Sequence, residues 1–205
     1  MKLQLVRHAQ STANVLHLLN TRMPGPPLTE LGGQQAEALG EQLCDEPVVA
    51  VYSSIATRAQ LTATPLAARC GLEVQVIDGV QEIFVGDLED RGDQDGLTAY
   101  AQVFYPWTLG RLELSMPAGE SGEQVRDRYL GAVSQIRAKH EQEHPEGTVV
   151  LVSHGGVMRL CAEILADNVP PNLAEAGLIP NTGSIVLASK DGGGWHCESW
   201  AGVDM

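Results

Sequence analysis

Short apolar runs alternate with amphipathic stretches from one end of the chain to the other. Leu3–Val6, Val48–Ser53, Glu73–Ile77, Thr148–Ser153 and Ser184–Ala188 are the short apolar runs and read as strands, the signature of a layered fold whose strands are buried on both faces. Between the first two, Thr29 stands as an N-cap ahead of a helix whose Leu31, Leu39 and Leu43 fall near one face. Ile55, Ala59, Thr62, Leu66 and Cys70 share one helical stripe, which Gly71 closes with a residue free to adopt a left-handed cap. A further helix from about Ser121 to His140 turns Val125, Tyr129, Val133 and Ile136 inward. The alternation predicts an α/β fold: a single-domain three-layer α/β/α sandwich over residues 1–205, with a mostly parallel central sheet flanked by helices.

The segment 86–119 breaks the pattern. Polar and aromatic residues mix there without a clean period across Tyr100, Phe104, Tyr105 and Trp107, which suits a partly helical insertion or lid over the sheet edge. Gly25, Pro26 and Pro27 mark a loop, and Gly192–Gly194 a turn before a last strand with Trp195 and Trp200.

Composition narrows the functional classes. With 205 residues and 43% apolar content, the chain fits one domain with a sizeable core. Its 26 acidic residues against 13 Lys plus Arg give a formal charge of −13, which argues against nucleic acid or an anionic membrane surface as partner. An anionic small molecule must therefore be drawn to a local cluster of the few arginines. Cys44, Cys70, Cys161 and Cys197 are scattered, with no C-x-x-C pair, and read as buried reduced thiols. The apolar run after Met1 is the short LQLV, and no stretch approaches a membrane span, so a soluble cytoplasmic enzyme is expected. A C2 homodimer is the base-rate expectation for assembly.

Candidate chemistry gathers at strand ends. RHAQSTAN, Arg7 to Asn14, follows the first buried run, and in open α/β sheets the carboxyl ends of strands form the ligand crevice. VVLVSHGG repeats the geometry far downstream and delivers His154 to the same edge. Gly155 and Gly156 allow backbone to approach a ligand, and the helix starting there is expected to aim its N–H groups at a bound anion. In SSIATRAQLTA, Arg58 sits in the first turns of a helix and offers a guanidinium suited to bidentate phosphate capture. Glu82, in VQEIFVGDLED, adds a carboxylate after a strand-like run. Together they supply cations for phosphoryl oxygens, a nucleophile and a leaving-group acid.

These elements resemble the histidine phosphatase superfamily, the phosphoglycerate-mutase-like family, over nearly the whole chain. Arg7–His8 is similar to its N-terminal R-H-G motif, Arg58 to the arginine of its S-S-x-x-x-R-A element, His154 to its second H-G motif and Glu82 to its proton donor. PLTELGGQQA, PAGES and IPNTGSIV resemble its secondary elements. Ala9 and Gln10 replace its usual glycine and glutamate, and Asp90 stands where glycine commonly follows Glu89, so Gln10 and Asp90 are expected to alter the pocket rim.

The resemblance implies a phosphatase of the histidine acid type, working on a small phosphorylated substrate through a phosphohistidine on His8, with no cofactor and no metal. His8 must be neutral, its second ring nitrogen donating to a backbone carbonyl, with Arg7 and Arg58 favouring that form. His154, if protonated, would be a third cation. Glu82 must begin protonated, aided by apolar surface from Ile83 and Phe84. Ser11, Asn14 and Gly155 are further candidates for binding phosphate or leaving group. Three alternatives stay open: a mutase, for which 86–119 offers only Arg91 and Arg111 to hold a second anion; a two-His, one-carboxylate metal site, opposed by the convergent arginines; and a phospholigand-binding protein without turnover. The leaving-group side is expected in 15–27 and 86–119, where Phe104, Tyr105 and Trp107 hint at an apolar or ring-bearing group, although core packing is the expected role for most of them.

Overall fold

The computed structural model describes residues 1–171 and 173–205. The apolar runs become β1 (Lys2–Arg7), β2 (Val48–Ser53), β3 (Val74–Val76), β4 (Thr148–Ser153) and β5 (Ser184–Ser189), followed by β6 (Trp195–Trp200) and β7 (Val203–Asp204). They form one mixed sheet in the order β3-β2-β4-β1-β5-β6-β7. The first four strands run parallel and the last three add an antiparallel edge; β1, β2 and β4 bury side chains on both faces, as parallel strands do, whereas the edge strand β3 stays partly exposed.

Every residue of β4 is buried, and its side chains alternate between two cores. Val150 and Val152 join Val6 and Val51 on one face, whereas Val149 and Leu151 join Leu3 and Leu5 on the other. The first core is covered by α2 (Glu30–Leu43) and α3 (Thr57–Arg69), through Leu39, Leu43, Ala59, Ala63 and Leu66. The second is covered by α5 (Gly122–His140) and α6 (Gly155–Leu165), with Val125, Tyr129, Val133 and Ile136 all buried. Two short helices, α1 (Thr12–Val15) and α7 (Leu173–Ala176), flank the sheet edge, and α4 (Gln94–Thr108) lies in the 86–119 segment.

Caps fall where the side chains dictate. Thr29 Oγ1 accepts from the Gly32 amide at 3.0 Å, and Ser121 forms a capping box with Gln124 at the head of α5. Gly71, at φ +66°, follows the Cys70 cap of α3. Two expectations fail on exposure: Leu31 is 49% exposed at the open side of α2, where Gly32 and Ala36 are buried instead, and Cys44 at its C-cap is an exposed thiol. Cys161 and Cys197 are buried and Cys70 is intermediate, all of them free.

The register matters most for function. Arg7 pairs with Ser153 across β1 and β4, and Ser53 of β2 with Val152. The residues that follow each strand, His8, Ser54 and His154, therefore emerge at one level of one edge. No helix among the described residues is long and apolar enough to cross a membrane.

Candidate active site

A cleft of about 200 Å³ opens at this edge, and Arg7, His8, Ser11, Asn14, Arg58, Glu82 and Gly155 all line it. His8 is held in one tautomer by two partners. Its Nδ1 lies 2.7 Å from the Ala9 carbonyl, which can only accept, and Arg58 Nε–H donates to Nε2 at 3.1 Å. Nδ1 thus carries the proton and Nε2 the lone pair. Burial, then the Arg58 and Arg7 guanidiniums, and despite the Ala9 carbonyl, pull the pKa of His8 down from about 6.5 to about 3. The unfolded chain, with histidine near ~6.5, takes up the proton first as pH falls. Stability fully present above about pH 6.5 is therefore lost on acidification toward about 3. The thermal midpoint should fall across that window while the ¹⁵N shifts of the His8 ring stay those of the neutral form to below about pH 5.

The structure places His154 deeper than the cleft wall on which the sequence reading sets it. It is fully buried behind His8, ring centroids 5.1 Å apart, and does not line the cleft. Burial first, then Arg58 and His8, hold its pKa well below the ordinary value, which opposes the cationic form. Its Nε2 is 2.7 Å from Ser54 Oγ, and its Nδ1 is buried without a partner. The separation of the two rings still lets both approach one oxyanion.

The guanidiniums are placed for an anion. Arg7 Nη1 donates to the Ile179 carbonyl and Arg58 Nη2 to that of Asn20, yet Arg7 Nε and Arg58 Nη1 are buried with no hydrogen-bond partner among the described residues. Two buried, unsatisfied cationic donors beside a neutral imidazole are costly unless an oxyanion meets them. Burial lowers the pKa of both arginines, with Glu82 opposing. Gly25, at φ +72°, fits against Arg58 Nη1, where a Cβ would overlap the guanidinium.

Glu82 is gripped differently from the sequence expectation. Its carboxylate accepts from the amides of Ile83 at 3.0 Å, Gly156 at 2.9 Å and Val157 at 2.8 Å. Ile83 is buried and lines the same cleft, whereas Phe84 turns outward and adds no apolar surround. The anion met by the first amides of α6 is this side chain, a stabilising match to the positive end of the helix.

Other polar groups complete the wall. Asn14 Oδ1 accepts from Ser11 N, Ser11 Oγ and Asn181 Nδ2, and Asn181 Nδ2 also donates to the His8 carbonyl at 2.9 Å. Gln10 faces away from the cleft, its Oε1 accepting from Thr29 Oγ1, so it does not shape the rim. Asp90 does so indirectly: at φ +59°, where glycine is at ease, it accepts from Asn20, a cleft residue. Glu89 fastens the same loop through the Thr21 and Arg22 amides. Phe104 and Trp107 are core residues and Tyr105 points to solvent; Tyr100 is the α4 aromatic that reaches the cleft. Arg91 pairs with Asp93, Arg111 with Glu113, and neither lines the cleft. Tyr100, Arg159 and Asn181 were missed, although Arg159 follows Gly155 by one helical turn and Asn181 stands in IPNTGSIV. Among the described residues no group of three His, Cys, Asp or Glu side chains is placed to hold a metal ion.

The sequence model of the histidine phosphatase superfamily (branch 1) matches residues 3–202. The chain belongs to that superfamily. Branch 1 does not carry the narrower expectation of a histidine acid-type enzyme, which names a different subfamily. A metal-independent phosphoserine phosphatase of Arabidopsis thaliana is 32% identical over 97% of this chain and 80% of its own. PE-PGRS family protein PE_PGRS11 of Mycobacterium tuberculosis is 32% identical over 99% of this chain, which spans 37% of that relative's length. The native structure of a mycobacterial glucosyl-3-phosphoglycerate phosphatase superposes with a TM-score of 0.80, at 26% identity and 98% coverage of both chains. These histidine phosphatase relatives support phosphatase activity.

Proposed function

We propose that the protein is a metal-independent phosphomonoester hydrolase acting on a small phosphorylated metabolite through a covalent intermediate on His8. The observation that carries this reading is the fixed tautomer of His8, whose proton is on Nδ1 and whose Nε2 lone pair faces the guanidinium of Arg58. A phosphoryl group entering there takes over the Arg58 donors and meets Arg7 Nε, freeing the lone pair for in-line attack. As the N–P bond forms and the P–O bond to the leaving alcohol breaks, Glu82 gives its proton to the departing oxygen. Water then attacks phosphorus, Glu82 takes the water's proton, and the N–P bond breaks to release phosphate. A phosphate dianion beside the Glu82 carboxylate is repelled unless a proton enters with it, so substrate binding loads the acid.

Reaction with a ³²P-labelled aryl phosphate in the presence of a chelator, quenched within a turnover and kept alkaline, should leave acid-labile label on a peptide containing His8. Label elsewhere, or activity abolished by the chelator, would overturn the reading. The mutase alternative passes the phosphoryl group to a second hydroxyl instead of water; in the same assay a bisphosphate primer should not be needed.

A further inference from the structure

We infer that Gln35 and Thr62, neither of which lines the cleft, are positioning residues for the nucleophile: they clamp the backbone on both sides of Ala9 and so hold the carbonyl that fixes the reacting tautomer of His8. The inference rests on the hydrolase reading above and extends it into α2 and α3.

The Ala9 carbonyl and the Gln10 N–H belong to one amide plane. Its oxygen accepts from His8 Nδ1 at 2.7 Å, and its N–H, on the opposite side of the trans amide, donates to Gln35 Oε1 at 2.8 Å. The plane before it is held as firmly. The buried Ala9 N–H donates to Thr62 Oγ1 at 2.9 Å, and the Thr62 hydroxyl donates in turn to the Arg58 carbonyl at 2.7 Å, which spends its proton and leaves a lone pair for Ala9. Gln35 comes from α2 and Thr62 from α3, so the loop after β1 is gripped between the two helices. Gly32 of α2 shows how close the grip is, since a Cβ there would overlap the Gln10 carbonyl oxygen.

The clamp matters once a phosphoryl group arrives. Before that, two contacts fix the tautomer, the Ala9 carbonyl on Nδ1 and the Arg58 Nε–H on Nε2. In the reading above the entering phosphate takes Arg58 over, and among the described residues the Ala9 carbonyl is the hold that remains. Were its amide free to turn, the proton would be free to settle on Nε2, the attacking atom. An N–H that donates to Gln35 also polarises its own amide, which makes the carbonyl a stronger acceptor and Nε2 more electron-rich. Both effects act on the transfer step, while Arg7 Nε and Arg58 Nη1 present their donors to the phosphate as before. Loss of the clamp should therefore slow transfer and leave anion affinity nearly unchanged.

The test removes each acceptor and keeps the shape around it. Gln35→Met preserves length and Thr62→Val the branched side chain; each should slow phosphoenzyme formation from a saturating aryl phosphate by about 10–100-fold, the scale on which small misplacements are felt. The inhibition constant of inorganic phosphate should change less than about threefold, as expected of a loss confined to the transition state. Gln35→Glu and Thr62→Ser restore an acceptor and should recover most of the rate. With inorganic phosphate bound, the ¹⁵N shifts of the wild-type His8 ring should be those of the Nδ1–H tautomer alone, and in Gln35→Met they should move toward a mixture of the two. Thr62 is fully buried, so should Thr62→Val fail to fold, the half-buried Gln35 still decides. A folded Gln35→Met with wild-type rate and tautomer, or a loss that Gln35→Glu does not recover, would overturn the clamp while leaving the hydrolase standing. Absence of any phosphoenzyme in the wild type would instead remove the hydrolase reading, and the clamp with it.

Discussion

His8→Ala loses turnover of every phosphate ester by about 10⁴-fold or more, the scale on which removal of a covalent nucleophile is felt, and loses the trapped phosphoenzyme with it. The fold should survive, because the hydrogen bonds of the His8 ring among the described residues run just to the adjacent Ala9 carbonyl and to Arg58. Substrate affinity is expected to change far less than rate, since Arg7 Nε and Arg58 Nη1 still present their donors. Rapid-quench labelling and steady-state kinetics on one preparation, with circular dichroism as the folding control, check all three. Turnover near the wild-type rate would place the nucleophile elsewhere.

The second large effect belongs to Glu82→Gln, and its size should depend on the leaving group. For alkyl phosphates, whose alkoxide must be protonated as it departs, the loss should reach about 10²–10⁴-fold, the usual worth of a general acid. For an aryl phosphate with a stable phenolate, transfer to His8 should lose much less. The substitution also costs stability. Glutamine has one acceptor oxygen where the carboxylate uses two, so its NH₂ group must face an amide N–H of α6 or turn away, at about 1–3 kcal/mol. Equal losses in the transfer step itself, read as the burst of alcohol released before the phosphoenzyme turns over, would mean that Glu82 acts through α6 and not as the acid.

Much of this site was readable before any coordinates. His8 and His154 announce themselves because each follows an uninterrupted apolar run, and two such runs in a parallel sheet end at one edge. Arg58 was legible for the same reason, standing early in a helix that follows a strand. What could not be read is what depends on depth. The bias of His154 against the cationic form arises from complete burial against Ser54 and His8, residues distant in sequence, and nothing in SHGG distinguishes a cation from a buried neutral ring. Glu82 posed a similar problem: its neighbours in sequence are apolar, but its neighbours in space are amides of a helix more than seventy residues away. In 86–119 the period is obscured because one helix serves two environments. Phe104 and Trp107 enter the core, while Tyr100 reaches the cleft a turn earlier. Arg159 escaped notice because guanidiniums on amphipathic helices ordinarily face solvent, and this one is captured by carbonyls of Gly155 and α7.

Because the opening amides of α6 clasp Glu82 and its next turn carries Arg159, the proposed acid and one wall of the cleft ride on one stiff rod. Sliding that rod to admit a bulkier ester would drag the acid out of line at the same time. Divergence toward new substrates would then be channelled into the flanking loops, around Leu18–Thr21 and Leu178–Ile179, which edge the cleft and lie outside α6.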